Sequence, residues 1–462
     1  VASVGHFRDL PPKKIGVDTK NDFKPTYEIT DGKQSVVTQI VSKAKKCKMV
    51  YLATDLDREG EAISFHLSQV LPSGTKMKRI RYNSITKKAL TDAIANAGEI
   101  DQDMVNAYEC RRILDRLVGF KCSFQVKQAT GGPSAGRVQS AALRFLAERE
   151  KAIISFVPQK FWDIAAEVVT KDFHKVAAKL TTPTRLDVNT EEMAKEICDT
   201  LRAGPITVSK YEKKEASIKP YAPFVTATLQ QSASNLLGWS PKKTMSVAQD
   251  LFAGSHITYH RTDSTYMVPD FVNAVRTQIG SDYGANYLTA SPRYYSKSKN
   301  AQEAHEAIRP TTASCTSIGC GDTEKLYKMI WKRTVSSQMT DAKDLRSKAE
   351  FACKKYILSV TGSKSSFDGW RRCWDYGKRD EFELPEMKVG DVVNLVDVTM
   401  TEDETKPPSR FSEASCVKEM KTLGIGRPAT YAGTIDTLKK RGYIETGKKS
   451  INVTELGLRV TD

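Results

Sequence analysis

The apolar run Lys48-Met49-Val50-Tyr51-Leu52-Ala53-Thr54 leads straight into Asp55-Leu56-Asp57-Arg58-Glu59. Gly60 to Val70 then reads as a helix, Lys78 to Tyr82 as the next strand and Ser84 to Ala97 as the next helix. Strand, acidic loop, helix, strand is a βαβ pattern with polar residues at the strand's carboxyl end, where α/β folds place their sites. Asp55, Asp57 and Glu59 are spaced two apart, so an extended chain would turn all three to one side. Three carboxylates so placed repel one another unless a hard cation lies between them, and Mg²⁺ suits oxygen ligands and bridges to phosphate. The competing reading is an acidic turn that caps the following helix through its dipole.

A second signal lies far downstream, in Ile257-Thr258-Tyr259-His260-Arg261-Thr262-Asp263-Ser264-Thr265. A phenol with its ordinary pKa near 10 is a poor nucleophile at neutral pH. Arg261 could stabilise a phenolate or hold a phosphate. The small polar residues predict a tight polar turn rather than core, and the alternative is a surface tyrosine beside a helix cap at Asp263 or Ser264. A third patch, Ala304-His305-Glu306-Ala307-Ile308-Arg309-Pro310, offers His305 as a donor to phosphate. It is no zincin motif, because the second histidine is missing.

The chain has 462 residues, enough for several domains, and a formal net charge of +16, which favours a polyanionic partner such as DNA or RNA. Its nine cysteines form no C-x-x-C pair and read as reduced thiols. No transmembrane run is visible. Residues 1–100 read as α/β and 101–155 as helical. Residues 156–218 and 346–400 are β-rich and read as one domain interrupted by a mostly helical insertion, 219–345, that carries Tyr259. In 401–462 a basic turn, a helix and a hairpin resemble a winged-helix element.

Loops suited to phosphate are Ser134-Ala135-Gly136-Arg137-Val138-Gln139 at a helix start and Gly424-Ile425-Gly426-Arg427. Arg111, Arg112 and Asp115 lie about one helical turn apart and read either as a DNA contact or as a salt-bridged helix face.

Together these stretches resemble the type IA DNA topoisomerases, most closely the bacterial topoisomerase I group. The matches run in the family's order: Ser3-Val4-Gly5-His6 to Pro11, Asp55 to Ala62, Arg111 to Arg116, Ser134 to Ser140, Pro223-Phe224 to Gln231, the tyrosine run, Ala304 to Pro310, and Gly424 to Tyr431. The resemblance implies a multidomain α/β fold, with a Toprim domain (1–100) in a toroidal core. A winged-helix-like domain IV comes from 101–155 and 401–462, a β-rich arch from 156–218 and 346–400, and a mobile gate from 219–345. It implies relaxation of negatively supercoiled DNA without ATP, through a 5′-phosphotyrosine on Tyr259, with Arg261 and His305 assisting. Asp55, Asp57 and Glu59 would hold Mg²⁺. His6, Arg111, Arg112, Asp115, Ser134 to Gln139 and Arg427 would contact a single-stranded segment of DNA. A monomer, without membrane attachment and in the cytoplasm with the nucleoid if bacterial, is expected.

By the same resemblance the chain starts after a first Toprim strand bearing a glutamate and a lysine and stops inside domain IV. The expectation is an incomplete sheet and poor or no cleavage, with no zinc-ribbon tail. His260, where bacterial topoisomerase I usually has methionine, leaves open the topoisomerase half of a reverse gyrase or a topoisomerase III-like decatenase. A Toprim nuclease or primase, or a non-catalytic DNA clamp, are the readings from other classes.

Overall fold

The computed structural model describes residues 1–3, 5–295, 305–376, 380–447 and 450–462; Val4 and Ala304 of the quoted motifs lie outside these. The chain opens with two short antiparallel pairs. Strand β1 (Arg8–Asp9) pairs with β4 (Glu28–Ile29), and β2 (Val17–Asp18) with β3 (Lys24–Pro25). Then come α1 (Gln34–Ala44), β5 (Val50–Leu52), α2 (Arg58–Val70), β6 (Met77–Arg79) and α3 (Lys87–Ala95). β5 and β6 are parallel, with Val50 opposite Met77 and Leu52 opposite Arg79, as the βαβ reading requires. Phe7, Val37, Leu52 and Leu67 form the small core that ties the opening loops to this unit.

Asp101 caps α4 (Gln102–Thr130) by accepting the N–H of Met104, and Gly131 ends it in a left-handed conformation. α5 (Arg137–Ile154) follows. The β-rich stretches close into one barrel of β7 (Lys160–Val169), β8 (Lys175–Leu180), β9 (Ile206–Ile218), β10 (Ala342–Cys353), β11 (Tyr356–Phe367) and β12 (Val392–Glu404). Around the barrel the order is β10-β11-β8-β7-β12-β9. α6 (Glu191–Ala203) buries Ala194, Ile197, Cys198 and Leu201 in the same core as barrel residues Ile164, Val168, Val208 and Phe351. The strands overrun the boundaries read from sequence: β10 starts at Ala342, before 346, and β12 runs to Glu404, past 400. β9 is hard to see in the sequence because charged residues crowd its middle and only Ile206 and Val208 are buried.

Between β9 and β10 the chain forms α7 (Thr226–Leu237), α8 (Pro241–Ala253), α9 (Pro269–Asp282) and α10 (Gly321–Ser336) around a core that includes Phe224, Leu229, Leu251, Val275 and Ile330. The C-terminal part holds α11 (Glu413–Thr422), α12 (Tyr431–Lys440), the hairpin β13 (Ile444–Thr446) and β14 (Ile451–Val453), and α13 (Glu455–Thr461). Leu143 and Leu146 of α5 share its core with Val417, Met420, Ile435 and Ile451. Among the described residues no helix is long and apolar enough to cross a membrane, and all nine cysteines are free.

Candidate active site

β5 ends at Leu52, so the acidic stretch is not the frayed end of a strand. Asp57 is the N-cap of α2, its Oδ1 accepting the N–H of Gly60 at 2.8 Å, and Glu59 already lies in the helix's first turn. Gly60 is obligatory here: a Cβ at this position would stand 2.0 Å from the carbonyl oxygen of Asp55. The capping reading therefore holds for Asp57.

The helical insertion between β9 and β10 delivers its residues to this loop. Tyr259 donates its phenolic O–H to Asp57 Oδ2 at 2.6 Å, and Arg261 Nη1 donates to Glu59 Oε2 at 3.0 Å. The backbone N–H of Tyr259 donates to the Asn83 carbonyl at 2.8 Å. His305 Nε2 lies 2.5 Å from the carbonyl oxygen of Leu56. A carbonyl only accepts, so this ring carries its proton on Nε2. The Tyr259 ring packs edge-on against His305, Phe252 and His260.

The expectation of a polar surface turn fails. Tyr259 is 3 % exposed, and Thr258, His260, Thr262 and Ser264 are buried with it. The hydroxyls make this possible, because each satisfies a backbone group that burial would otherwise orphan. Thr258 Oγ1 donates to the Ala307 carbonyl at 2.6 Å, and Thr226 Oγ1 to the His260 carbonyl at 2.8 Å. Nor do Asp263 and Ser264 cap a helix: α9 begins only at Pro269, after Val268.

Burial, then the charges of Asp57 and Asp55, push the Tyr259 pKa well above that of a free phenol, against the pull of Arg261. The resting phenol is neutral. Burial, with the Asp57 and Glu59 charges, raises the Asp55 carboxyl, while Arg261 and Arg79 oppose the rise. The His6 hydrogen bond and Arg261 hold Glu59 below its ordinary range despite burial. His260 is pushed down to about 3 by burial and by Arg261.

The expected convergence of three carboxylates does not occur. Among the described residues no three His, Cys, Asp or Glu side chains are grouped to hold one ion. The chain turns into helix between Asp57 and Glu59, and Tyr259, Arg261 and His6 occupy their oxygens. The donors themselves still suit a hard cation, since all three are carboxylates.

Comparison with known proteins decides the family. Residues 99–462 match the DNA topoisomerase family and residues 1–85 the Toprim domain. DNA topoisomerase 1 of Vibrio cholerae is 42% identical over 460 residues, covering 97% of this chain and 52% of that protein. DNA topoisomerase 1 of Escherichia coli is 39% identical over 502 residues, covering 100% and 58%. The structure of full-length topoisomerase I from Thermotoga maritima superposes with a TM-score of 0.86 at 36% identity, covering 98% of this chain and 76% of that one. The chain belongs to the type IA DNA topoisomerases. It spans about half the length of the curated relatives it matches.

In this topoisomerase chain Asp57, Glu59, Arg261 and His305 line a cleft of about 350 Å³ with Arg111, Asp263 and Arg427, while Tyr259 lies buried outside its lining. The cleft continues through Arg111, Ala429 and Thr430 into a second cleft of about 440 Å³ walled by Asp115 and Ala135, Gly136, Arg137, Val138 and Gln139. Most residues expected to meet DNA thus fall on one groove. The Arg427 guanidinium donates to carbonyls of its own loop, Gly424 and Gly426. Asp115 pairs with Arg137 at 3.0 Å and with Arg111 at 3.8 Å.

Three expected contacts are otherwise engaged. Arg112 forks onto the Asp9 carboxylate at 2.9 and 2.6 Å. Ser134 lines neither cleft; its N–H and carbonyl both bond the Tyr443 hydroxyl. His6 bonds Glu59 at 3.1 Å and stacks on Tyr108. Gly136 has an extended backbone as the cap residue of α5, and a Cβ there would meet only the flexible Gln139 side chain.

Sequence reading passed over Asp9, Tyr108 and Asp263. Asp9 and Asp263 lie inside quoted motifs, and Tyr108 stands one turn before Arg111 and Arg112 on α4, the spacing that could have revealed it.

Proposed function

We propose that this chain relaxes negatively supercoiled DNA without ATP, by cutting one strand, passing the other through the gap and resealing the cut. One contact carries the reading: a buried phenol hydrogen-bonded at 2.6 Å to a carboxylate, with a guanidinium beside it. A hydrolytic nuclease has no use for that tyrosine.

The Tyr259 oxygen attacks a backbone phosphorus in line and forms the Tyr–O–P bond as the P–O3′ bond breaks. Asp57 takes the phenolic proton, and in balance one proton ends on the departing 3′ oxygen. One phosphodiester replaces another, so the reverse step reseals the strand with no energy source. Arg261 leaves Glu59 for the phosphate and offsets the charge growing on its oxygens. His305 likewise exchanges the Leu56 carbonyl for a phosphate oxygen. Asp55, Asp57 and Glu59 would hold Mg²⁺, which supplies charge neutralisation at the phosphate.

The phenol is too deeply buried for a strand to reach it at rest, so the gate must part from the acidic loop. The DNA then lies along Arg111, Asp115, Ala135 to Gln139 and Arg427. The enzyme works as a monomer on nucleoid DNA in the bacterial cytoplasm.

The test uses one oligonucleotide labelled at its 5′ or its 3′ end, quenched with detergent after incubation with the protein and Mg²⁺. The reading requires protein to stay bound to the 3′-labelled fragment alone, with a free 3′ hydroxyl on the other. Free nicks without attached protein would replace it with a Toprim nuclease, and binding without cleavage with a clamp.

A further inference from the structure

Arg79 is a charged side chain where charge is costly. It stands on β6, 1 % exposed, inside the Toprim unit. Its Nε donates to Glu61 Oε2 at 2.9 Å. Nη1 donates to the carbonyls of Leu52 at 3.1 Å, Thr54 at 2.9 Å and Ile80 at 2.7 Å, and Nη2 to the Asp55 carbonyl at 2.7 Å. Three of these carbonyls belong to residues 52–55, where β5 turns into the acidic loop.

Glu61, also 1 % exposed, is held in turn by Arg81 Nη2 at 2.6 Å and by the Asp101 N–H at 2.7 Å. The clamp therefore binds strand, loop, helix α2 and the start of α4 at one point.

The site lies immediately beyond this clamped stretch. Asp55 opens the acidic loop, the Leu56 carbonyl takes His305, and Asp57 takes Tyr259. The geometry points to Arg79, with Glu61 as its counter-ion, as a positioning residue that sets where the acidic loop presents these three residues. It rests on the catalytic reading above but touches neither substrate nor the reacting atoms. A guanidinium fits the task because its donors lie in a fixed planar fork, whereas a lysine ammonium is a point charge with three donors.

The test is Arg79→Lys, which keeps the charge and loses the fork, read in two ways on the DNA-free protein. The first is amide hydrogen exchange of the peptide spanning residues 53–59 against that of α1. Exchange in the loop rises roughly tenfold or more while α1 is unchanged. The second is titration with Mn²⁺ alone, whose affinity falls by roughly 10–100-fold, the range for groups that orient metal ligands. Val37→Ala, in the same core, is the comparison and accelerates exchange in α1 as well as the loop.

Unchanged loop exchange in folded Arg79→Lys overturns the inference. So does equal acceleration of loop and α1, which makes Arg79 an ordinary core group. If Arg79→Lys does not fold, Glu61→Gln is read in the same ways, and an unchanged loop there overturns it equally. If the wild-type protein takes up no Mn²⁺, the metal part of the proposed function fails, while the exchange result still decides the role of Arg79.

Discussion

Residues 52–57 and residues 257–262 supply the two halves of the site, and they are held by different means. The acidic loop is gripped from beneath by the buried Arg79–Glu61 pair and closed over Gly60. The tyrosine run is held by neutral threonine hydroxyls, all bonded to carbonyls of the gate itself. Across the boundary the described residues at the site make four polar bonds: Tyr259 to Asp57, Arg261 to Glu59, His305 to the Leu56 carbonyl, and Tyr259 N–H to the Asn83 carbonyl. Each half is thus internally complete, and the few bonds between them are of kinds that phosphate, cation or water can replace. Opening of the proposed gate would therefore dismantle neither half.

The largest effect that could break this comparison is Tyr259→Phe. The ring packing against Phe252, His260 and His305 survives, and only the nucleophile goes. Covalent adduct falls by at least roughly 10⁴-fold, as for other deleted covalent nucleophiles, while non-covalent DNA binding stays within twofold in a gel-shift titration. Arg261→Ala comes next, lowering cleavage rate by about 10²–10³-fold, as for lost transition-state donors. Arg261→Lys recovers only part of that, because a point charge replaces the fork. Equal recovery would reduce the role of Arg261 to charge alone.

Gly60→Ala probes the other half. The added Cβ has backbone, not a movable side chain, in its way. Overpacking of this kind costs roughly 1–3 kcal/mol, read as a lower unfolding temperature. An unshifted transition would mean that the loop gives way.

The smallest effect distinguishes the gate interior by pH. His260 has a folded pKa near 3, below its unfolded value near 6.5. Between those values the unfolded chain binds more protons, so stability rises with pH across that window and falls as the solution is acidified. From pH 7 to pH 5 this one group removes about 2 kcal/mol. His260→Met deletes that slope, which denaturant titrations of the gate at the two pH values would read.

The acidic loop was legible because its flanks are regular: apolar strand before, helix after, with a cap residue between. The period-two argument for three converging carboxylates assumed an extended chain, whereas helix begins at Arg58 and Glu59 lies in its first turn. The burial of Thr258 to Ser264 was not legible at all. Their polarity reads as surface, and only the fold reveals that the Thr258, Thr262 and Ser264 hydroxyls each have a backbone carbonyl or N–H to bond. Arg112 shows the same limit: its fork is spent on Asp9, more than a hundred residues earlier. The barrel was seen as two β-rich stretches, but its closure depends on pairings between β9 and β10 that local pattern does not contain.

The most direct test of the account is to find the atom that carries the DNA. Adduct trapped with detergent, digested with nuclease and trypsin, should yield a peptide containing Tyr259 with a nucleotide phosphate on its phenolic oxygen. A nucleotide on any other residue, or none on a protein that still cuts DNA, would contradict it.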